Sequence, residues 1–369
     1  LDEWFGLSKE AHIKSLEFSY ARGTTTPTPN GLKVACIGAG VASITLAHDL
    51  LRLGYAVDIY EMMRMPGGML TYGVPSYRLK NAVALNEIAA IEHLGARIFY
   101  NKKVGRDITM TELEEQYDAI FIGVGLWKSK ELPIPGADQP DIIRGIEYLR
   151  VRGAEEKWKI GEHLIVIGGG NVAYDVARTS IRNKAKTVTM VCLESRDEQT
   201  ADEFEIEDGQ EEGIETINRL APKEVMRDAN NAIIGLKVQR IISLFDYSGR
   251  FSPQAVEGTE FVIPCDSIAL SIGQGMDPSF MNGWSKRNQL IIDRGIIKTE
   301  RGTCRTSLKN IYAGGDAAFG PALFITAIRH GQEAARAIDS DLRGTQPYRE
   351  FVGEFTEISP MRDKTYLKT

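Results

Sequence analysis

The 369-residue sequence has only four cysteines, and no two of them stand close together. Cys36, Cys192, Cys265 and Cys304 form no CxxC or CxxxxC pair, which excludes a redox dithiol and a complete iron–sulfur motif among them. A disulfide framework is not expected either, since isolated cysteines flanked by apolar residues belong to the core. Long hydrophobic runs are missing: none reaches the about 18 residues that a membrane span needs, and no secretory signal is read before the first glycine-rich turn. A cytoplasmic chain with no membrane span is therefore expected. There is no basic excess, with 44 Lys and Arg against 50 Asp and Glu, and the net charge of −6 argues against a nucleic-acid surface. The five histidines show no ligand spacing, so no metal site is expected. Neither a hydroxyl-nucleophile motif nor a pair of catalytic carboxylates is present.

Glycine is abundant, with 36 residues gathered in short runs at the ends of apolar segments. Such runs serve where backbone must turn tightly or approach a ligand. The first follows an apolar strand at 33–37 and reads Gly38-Ala39-Gly40-Val41-Ala42-Ser43. A helix then runs to about Leu53, Gly54 stops it, and a second strand covers 57–60. In such a turn Gly38 permits the tight bend and Gly40 admits a pyrophosphate, at which the helix aims its free N–H groups. Ser43 stands where a third glycine or alanine is usual. Glu61 closes the second strand 21 residues after Gly40, where a carboxylate can accept from both hydroxyls of an adenosine ribose.

The pattern recurs. A strand at 164–167 leads into Gly168-Gly169-Gly170-Asn171-Val172-Ala173, a helix to about Arg182 and a strand at 187–191. Gly38 and Gly168 lie 130 residues apart, the length of a whole domain, so the reading is two dinucleotide sites and not a short repeat. One site would serve FAD and the other a pyridine nucleotide, cofactors that carry the redox chemistry while the protein positions them. The expected fold class is α/β with two Rossmann-like dinucleotide-binding domains, the NAD(P) domain inserted in the FAD domain. The expected division begins with an N-terminal helix and linker (1–30, with the helix at 8–21) and the first segment of the FAD domain (31–130). The NAD(P)-binding domain (131–264), the second segment of the FAD domain (265–341) and a polar C-terminal tail (342–369) follow. The acidic stretch 201–213 reads as a solvated helical face, and 233–263 as a small β-meander.

Six blocks together resemble the glutamate synthase small-subunit family of FAD/NAD(P) oxidoreductases, which also takes in the flavin subunit of ferredoxin-dependent transhydrogenases and the FAD/NADPH portion of dihydropyrimidine dehydrogenase. They are the first glycine turn, PGGMLTYGVPSYRL at 66–79, AIFIGVG at 119–125, the second turn through Asp175, SIGQ at 271–274 and IYAGGD at 311–316. The resemblance implies that Gly67, Gly68, Met69, Tyr72 and Arg78 lie at the flavin, with Val104, Gly123 and Gly125. It implies too that Gly315 and Asp316 hold the ribityl chain, and that Pro321 opens a helix whose amides near Ala322 and Leu323 face the flavin ring. On the nucleotide side it implies Gly273. The chain departs from the family at 123–125, where Gly-Val-Gly replaces the usual Ala-Thr-Gly.

A second departure bears on the nucleotide. The strand after the second turn usually ends Tyr-Arg-Arg-Ser-Arg in this family, with arginines to meet the 2′-phosphate of NADP, and here it reads Cys192-Leu193-Glu194-Ser195-Arg196. Glu194 would repel that phosphate and accept from a free ribose diol, so NAD(H) is favoured over NADP(H), with Ser195 and Arg196 beside it. The resemblance also implies iron–sulfur clusters on a partner subunit or on residues upstream of Leu1, hence a hetero-oligomeric electron-transfer assembly, with flavin-based electron bifurcation one mode open to it. The alternatives are an FAD-binding structural or regulatory subunit without turnover, or a glutamate synthase small subunit. A thioredoxin reductase-type dithiol enzyme is disfavoured by the missing cysteine pair.

Overall fold

The computed structural model describes residues 27–154 and 156–344. The helix expected at 8–21 and all of the expected tail beyond Gly344 lie outside these residues.

The chain enters strand β1 (Lys33–Ile37), crosses through helix α1 (Val41–Arg52) and returns in β2 (Ala56–Tyr60). A short helix α2 (Met69–Tyr72), helix α3 (Asn81–His93), β3 (Arg97–Phe99), α4 (Met110–Gln116) and β4 (Ala119–Ile122) complete the first stretch. β1, β2 and β4 are nearly continuous apolar runs because a parallel sheet is covered on both faces. Val34, Cys36, Ile59 and Phe121 are fully shielded on one side, and Ala35, Ile120 and Ile122 pack on the other. Burying each large side chain of this kind contributes about 1.5–3 kcal/mol.

After a two-residue strand β5 (Lys128–Ser129), the chain builds a second sheet from β6 (Ile143–Arg144), helix α5 (Gly145–Gly153), β7 (His163–Ile167), helix α6 (Asn171–Arg182), β8 (Thr187–Val191), helix α7 (Glu203–Glu211) and β9 (Glu215–Ile217). Four antiparallel strands follow: β10 (Leu220–Arg227), β11 (Ile233–Phe245), β12 (Phe251–Ala255) and β13 (Phe261–Pro264). This is the meander expected at 233–263, begun one strand earlier. β14 (Ser267–Leu270) then rejoins the second sheet, and β15 (Gln274–Gly275) pairs with β5 where the chain crosses back. A small hairpin of β16 (Ile292–Asp293) and β17 (Ile296–Ile297) precedes β18 (Ile311–Ala313), α8 (Asp316–Phe319) and the long α9 (Phe324–Arg343).

The sheet orders are β18-β4-β1-β2-β3 and β6-β14-β7-β8-β9. In each, the strand order reverses beside the strand that carries a glycine turn, β1 against β4 and β7 against β14. Open α/β sheets bind ligands at such a switch point. The boundary expected at 264/265 is corrected by this pairing. β14 hydrogen-bonds to β7 over residues 267–270, because its run Ser-Ile-Ala-Leu buries between two parallel neighbours, so the crossing back lies at β15.

The acidic stretch 201–213 has the solvated helical face expected of it, with Asp202, Glu203, Glu207 and Glu211 exposed. Glu205, however, is fully buried, and Arg178 contacts three of the acids: Glu205, Asp208 and Glu212. Charge density alone concealed this, since the partners come from elsewhere in the chain. Among the described residues no helix is long and apolar enough to cross a membrane.

Candidate functional site

Both glycine turns open into one cleft of about 1210 Å³. At the first, Gly38 has φ +89°, and a Cβ there would lie 2.8 Å from the Gly123 carbonyl oxygen, so only glycine lets the turn pass under the end of β4. Gly40 lies against the Gly67-Gly68 loop: Gly67 N–H donates to the Ala39 carbonyl at 2.7 Å, and a Cβ on Gly68 would sit 3.2 Å from the Gly40 Cα. The helix behind this cradle starts at Val41 with no side-chain cap, leaving its first amides free for an anion. Glu61 is almost wholly buried, and its carboxylate accepts from the Ala39 N–H and the Met63 N–H, each at 2.7 Å. Burial pushes its carboxyl above the ordinary value, against those backbone bonds.

Ser43, the departure from a third glycine or alanine, has a structural counterpart. A Cβ at Gly123 would fall 2.2 Å from the Ser43 hydroxyl, so the serine fills the space that the family's alanine at 123 would need.

The second turn repeats the geometry. Gly168 has φ +139°, and a Cβ there would lie 2.4 Å from the Ser271 carbonyl oxygen. Helix α6 again starts uncapped, at Asn171. At the far end of β8 the Glu194 carboxylate leans over the turn, since a Cβ on Gly169 would come within 3.2 Å of its Oε2. Asn218 and Arg219 hold the Glu194 backbone by donating to its carbonyl at 3.0 and 3.2 Å.

The cleft is lined by Gly38, Gly40, Val41, Ala42, Glu61, Gly67, Gly68, Met69, Val104, Gly123, Gly125, Gly315, Asp316, Ala322 and Leu323 on the β1 side. Gly168, Gly169, Gly170, Asn171, Val172, Glu194 and Gly273 line it on the other. Five expected residues do not line it. Ala39 is buried, and contributes its backbone N–H to Glu61. Tyr72 is buried behind the wall, its hydroxyl accepting from the Met65 N–H and its ring edge-on to Trp127. Arg78 pairs instead with Asp175, itself on the cleft wall of the other unit, and with the fully buried Glu205, since two buried carboxylates hold its guanidinium. Ser195 caps the short helical turn 196–198, and Arg196 is paired with Glu203. Helix α9 begins at Phe324 and not directly after Pro321, so Leu323 is its cap residue and Ala322 precedes it.

Other residues line the cleft without having been singled out. Trp127 and Phe251 bring aromatic surface, and Lys102, Lys103 and Lys130 bring positive charge; Lys103 is tied to Asp277 at 2.9 Å. Trp127 stands two residues beyond Gly125, which is a sequence signal, whereas Phe251 arrives on a hairpin from the antiparallel sheet and has none. Asp316 is half-shielded, and burial pushes its carboxyl up to about 6, while a backbone hydrogen bond from Ala322 acts in the other direction. The four cysteines are free and buried, and burial raises each thiol, that of Cys192, Cys265 and Cys304 to about 12. None is a reactive thiolate.

Residues 32–331 match the pyridine nucleotide-disulphide oxidoreductase family. The chain belongs to that family. It is an oxidoreductase of the flavoprotein class, built to hold FAD and a nicotinamide dinucleotide, and the disulfide of the family name has no counterpart among its separate, buried cysteines. It is 38% identical over 323 residues to the NADP(+)-dependent formate dehydrogenase subunit beta of Moorella thermoacetica, covering 86% of this chain and 45% of that one. It is 31% identical to the NADPH-Fe(3+) oxidoreductase subunit beta of Geobacter sulfurreducens, covering 90% and 53%. To the glutamate synthase [NADPH] small chain of Azospirillum brasilense it is 30% identical, covering 84% and 66%. The chain thus spans about half the length of the first two of these relatives. In fold it is similar to Mycobacterium tuberculosis FprA in complex with NADPH (TM-score 0.71, 20% identity, 85% of each chain). It is also similar to Lactococcus lactis thioredoxin reductase (TM-score 0.63, 20% identity, 85% of this chain and all of that one).

Proposed function

We propose that this chain is the nicotinamide-facing flavin module of a larger electron-transfer assembly, taking electrons from NADH and passing them to iron–sulfur centres on a partner subunit or a further segment of the same protein. The observation that carries this reading is the single cleft onto which two dinucleotide-type glycine turns converge with no cysteine pair beside them. Bound FAD supplies the exchange of hydride with a nicotinamide and its conversion to single-electron steps. The residues of the chain bind and orient. Gly38, Gly40 and the first amides of α1 would face the pyrophosphate of FAD, Glu61 its adenosine ribose and Asp316 its ribityl hydroxyls. Gly168–Gly170 and the start of α6 would do the same for the nucleotide. Hydride transfer between two cofactors needs no acid or nucleophile from the chain, whose carboxylates at the cleft, Glu61, Glu194 and Asp316 among them, are assigned to binding. With no dithiol to receive them, the electrons leave to another redox centre, and relatives named as beta subunits and small chains make a partner the natural recipient.

The nucleotide reading is NADH, although the relatives above carry NADP or NADPH in their names. Three features support it. Glu194 occupies the ribose end of the second turn, Arg196 is tied to Glu203, and the neighbouring Arg219 is tied to Glu198 at 3.0 Å. A 2′-phosphate would meet a carboxylate and two arginines already engaged.

Two measurements test these statements. Gly40→Val puts a side chain where the pyrophosphate lies, so that variant should purify without flavin; full FAD retention would refute the assignment of the first turn. For the intact protein, flavin reduction should be more efficient with NADH than with NADPH, and the reverse order would overturn the nucleotide reading.

A further inference from the structure

The two sheet units meet along a seam, and one dipeptide dominates its charged stretch. Tyr77 and Arg78 follow Gly73 and Val74, which line the cleft on the flavin side, and they reach across to helices α6 and α7. Arg78 is held by two carboxylates at once: Nη1 donates to Asp175 at 2.9 Å and Nη2 lies 2.7 Å from Glu205. Asp175 lines the cleft one turn into α6, the helix that begins with the nucleotide turn. Glu205 is fully buried and is shared with Arg178 at 2.8 Å. The Tyr77 ring is clamped at the same place, with the Arg182 guanidinium 3.8 Å and that of Arg178 5.1 Å from its centre. A planar guanidinium bridging two carboxylates fixes direction as well as distance, which a single flexible contact does not. The seam is close-packed next to it: a Cβ on Gly153 of α5 would fall 2.7 Å from the Tyr72 carbonyl oxygen, and Asn81 donates to the Gly153 carbonyl at 2.7 Å.

We infer that Arg78 is a positioning residue for hydride transfer. By locking the loop beside the flavin to the helix that carries the nucleotide, it sets the distance and angle at which the nicotinamide meets the flavin. It acts through Asp175 and Glu205 and touches neither cofactor. The inference rests on the proposed function, since it assigns the two turns to flavin and nucleotide. Reaction rates respond steeply to such alignment, and a displacement of about 1 Å can cost about a hundredfold.

The test uses the full chain loaded with FAD and compares the wild type with Arg78→Met and Arg78→Lys under anaerobic conditions. Arg78→Met should slow flavin bleaching at saturating NADH by at least about tenfold. The NADH concentration for half-saturation should move less than about threefold, since the groups that bind the nucleotide are untouched. The long-wavelength charge-transfer absorption of the nicotinamide–flavin pair should weaken in parallel, and Arg78→Lys should recover some of both. Independently of turnover, hydrogen exchange should quicken together at residues 74–80 and at the first turns of α6. An unchanged limiting rate and unchanged exchange in Arg78→Met would overturn the inference, as would a loss seen wholly in nucleotide affinity. Should Arg78→Met fail to fold with flavin, Glu205→Gln, which keeps the shape and lies outside the cleft, carries the same readouts. A limiting rate equal to wild type there would likewise overturn it. A wild-type protein that neither NADH nor NADPH bleaches overturns the proposed function itself, and is told apart because it needs no variant.

Discussion

At the scale of the residue, the most informative positions are those where this chain departs from its family. Glu194 is one. Glu194→Arg combined with Leu193→Arg should shift the ratio of catalytic efficiencies toward NADPH by about 1–3 kcal/mol, the scale of one or two charge-assisted bonds, as read from initial rates with each nucleotide. A ratio that ignores both changes would contradict the role given to Glu194. Ser43 and Gly123 form a second case. Gly123→Ala alone should destabilise by about 1–3 kcal/mol through the clash with the Ser43 hydroxyl, and Ser43→Ala should restore most of it, which urea unfolding of the three variants can check. The turn residues themselves were legible in the sequence because glycine at a phosphate turn is a local requirement. Arg78 was not: its motif block points to the flavin, but its partners Asp175 and Glu205 lie far along the chain, and only folding brings their buried charges to it. Asp316 yields a prediction about pH. Burial holds its carboxyl near 6, above the usual range, so ionising it costs more in the folded protein than in the unfolded chain. Its contribution is therefore most favourable below the ordinary carboxylate value and is lost as pH rises through about 6. Relative to wild type, flavin-stripped Asp316→Asn should gain stability between about pH 4 and about pH 7.5 in chemical denaturation; a constant difference would contradict the burial argument.

At the scale of the element, the two βαβ units were readable because an apolar strand, a glycine turn and an amphipathic helix follow one another without interruption. β1, α1, β7, α6 and β8 fall within a residue or two of where the pattern puts them. The expected boundary at 264/265 failed because β14 is a four-residue strand whose partner β7 lies a hundred residues upstream. A short apolar run carries no mark of the sheet it will join. The solvated face of helix α7 was legible in its acids, but nothing local reveals that Arg78 and Arg178 neutralise Glu205. The turn before α6 provides the test at this scale. Gly168→Ala combines a forbidden backbone angle with a Cβ pressed against the Ser271 carbonyl, so the β7–β14 switch point must open to accept it. NADH binding should be lost or severely weakened in calorimetry while FAD content stays near wild type, since the first turn is untouched. Unaltered NADH affinity would show that the nucleotide does not use this turn.

At the scale of the whole molecule, the architecture is two doubled versions of one solution, each placing a glycine turn at the point where a parallel sheet reverses its strand order. They share one cleft, so two cofactors can meet without a catalytic side chain between them. The seam at Tyr77 and Arg78, the crossing pair β5–β15 and the close approach of α2 to α5 hold the halves together. The buried, separated cysteines leave no internal disulfide to reduce, which fits the proposed transfer of electrons to another redox centre. Anaerobic titration of the purified protein with NADH tests this account most directly. It should begin with about one FAD per chain and bleach the flavin fully at about one NADH per FAD, and artificial one-electron dyes should restore the colour. A protein that carries FAD which NADH leaves oxidised, or that carries no flavin at all, would contradict the account.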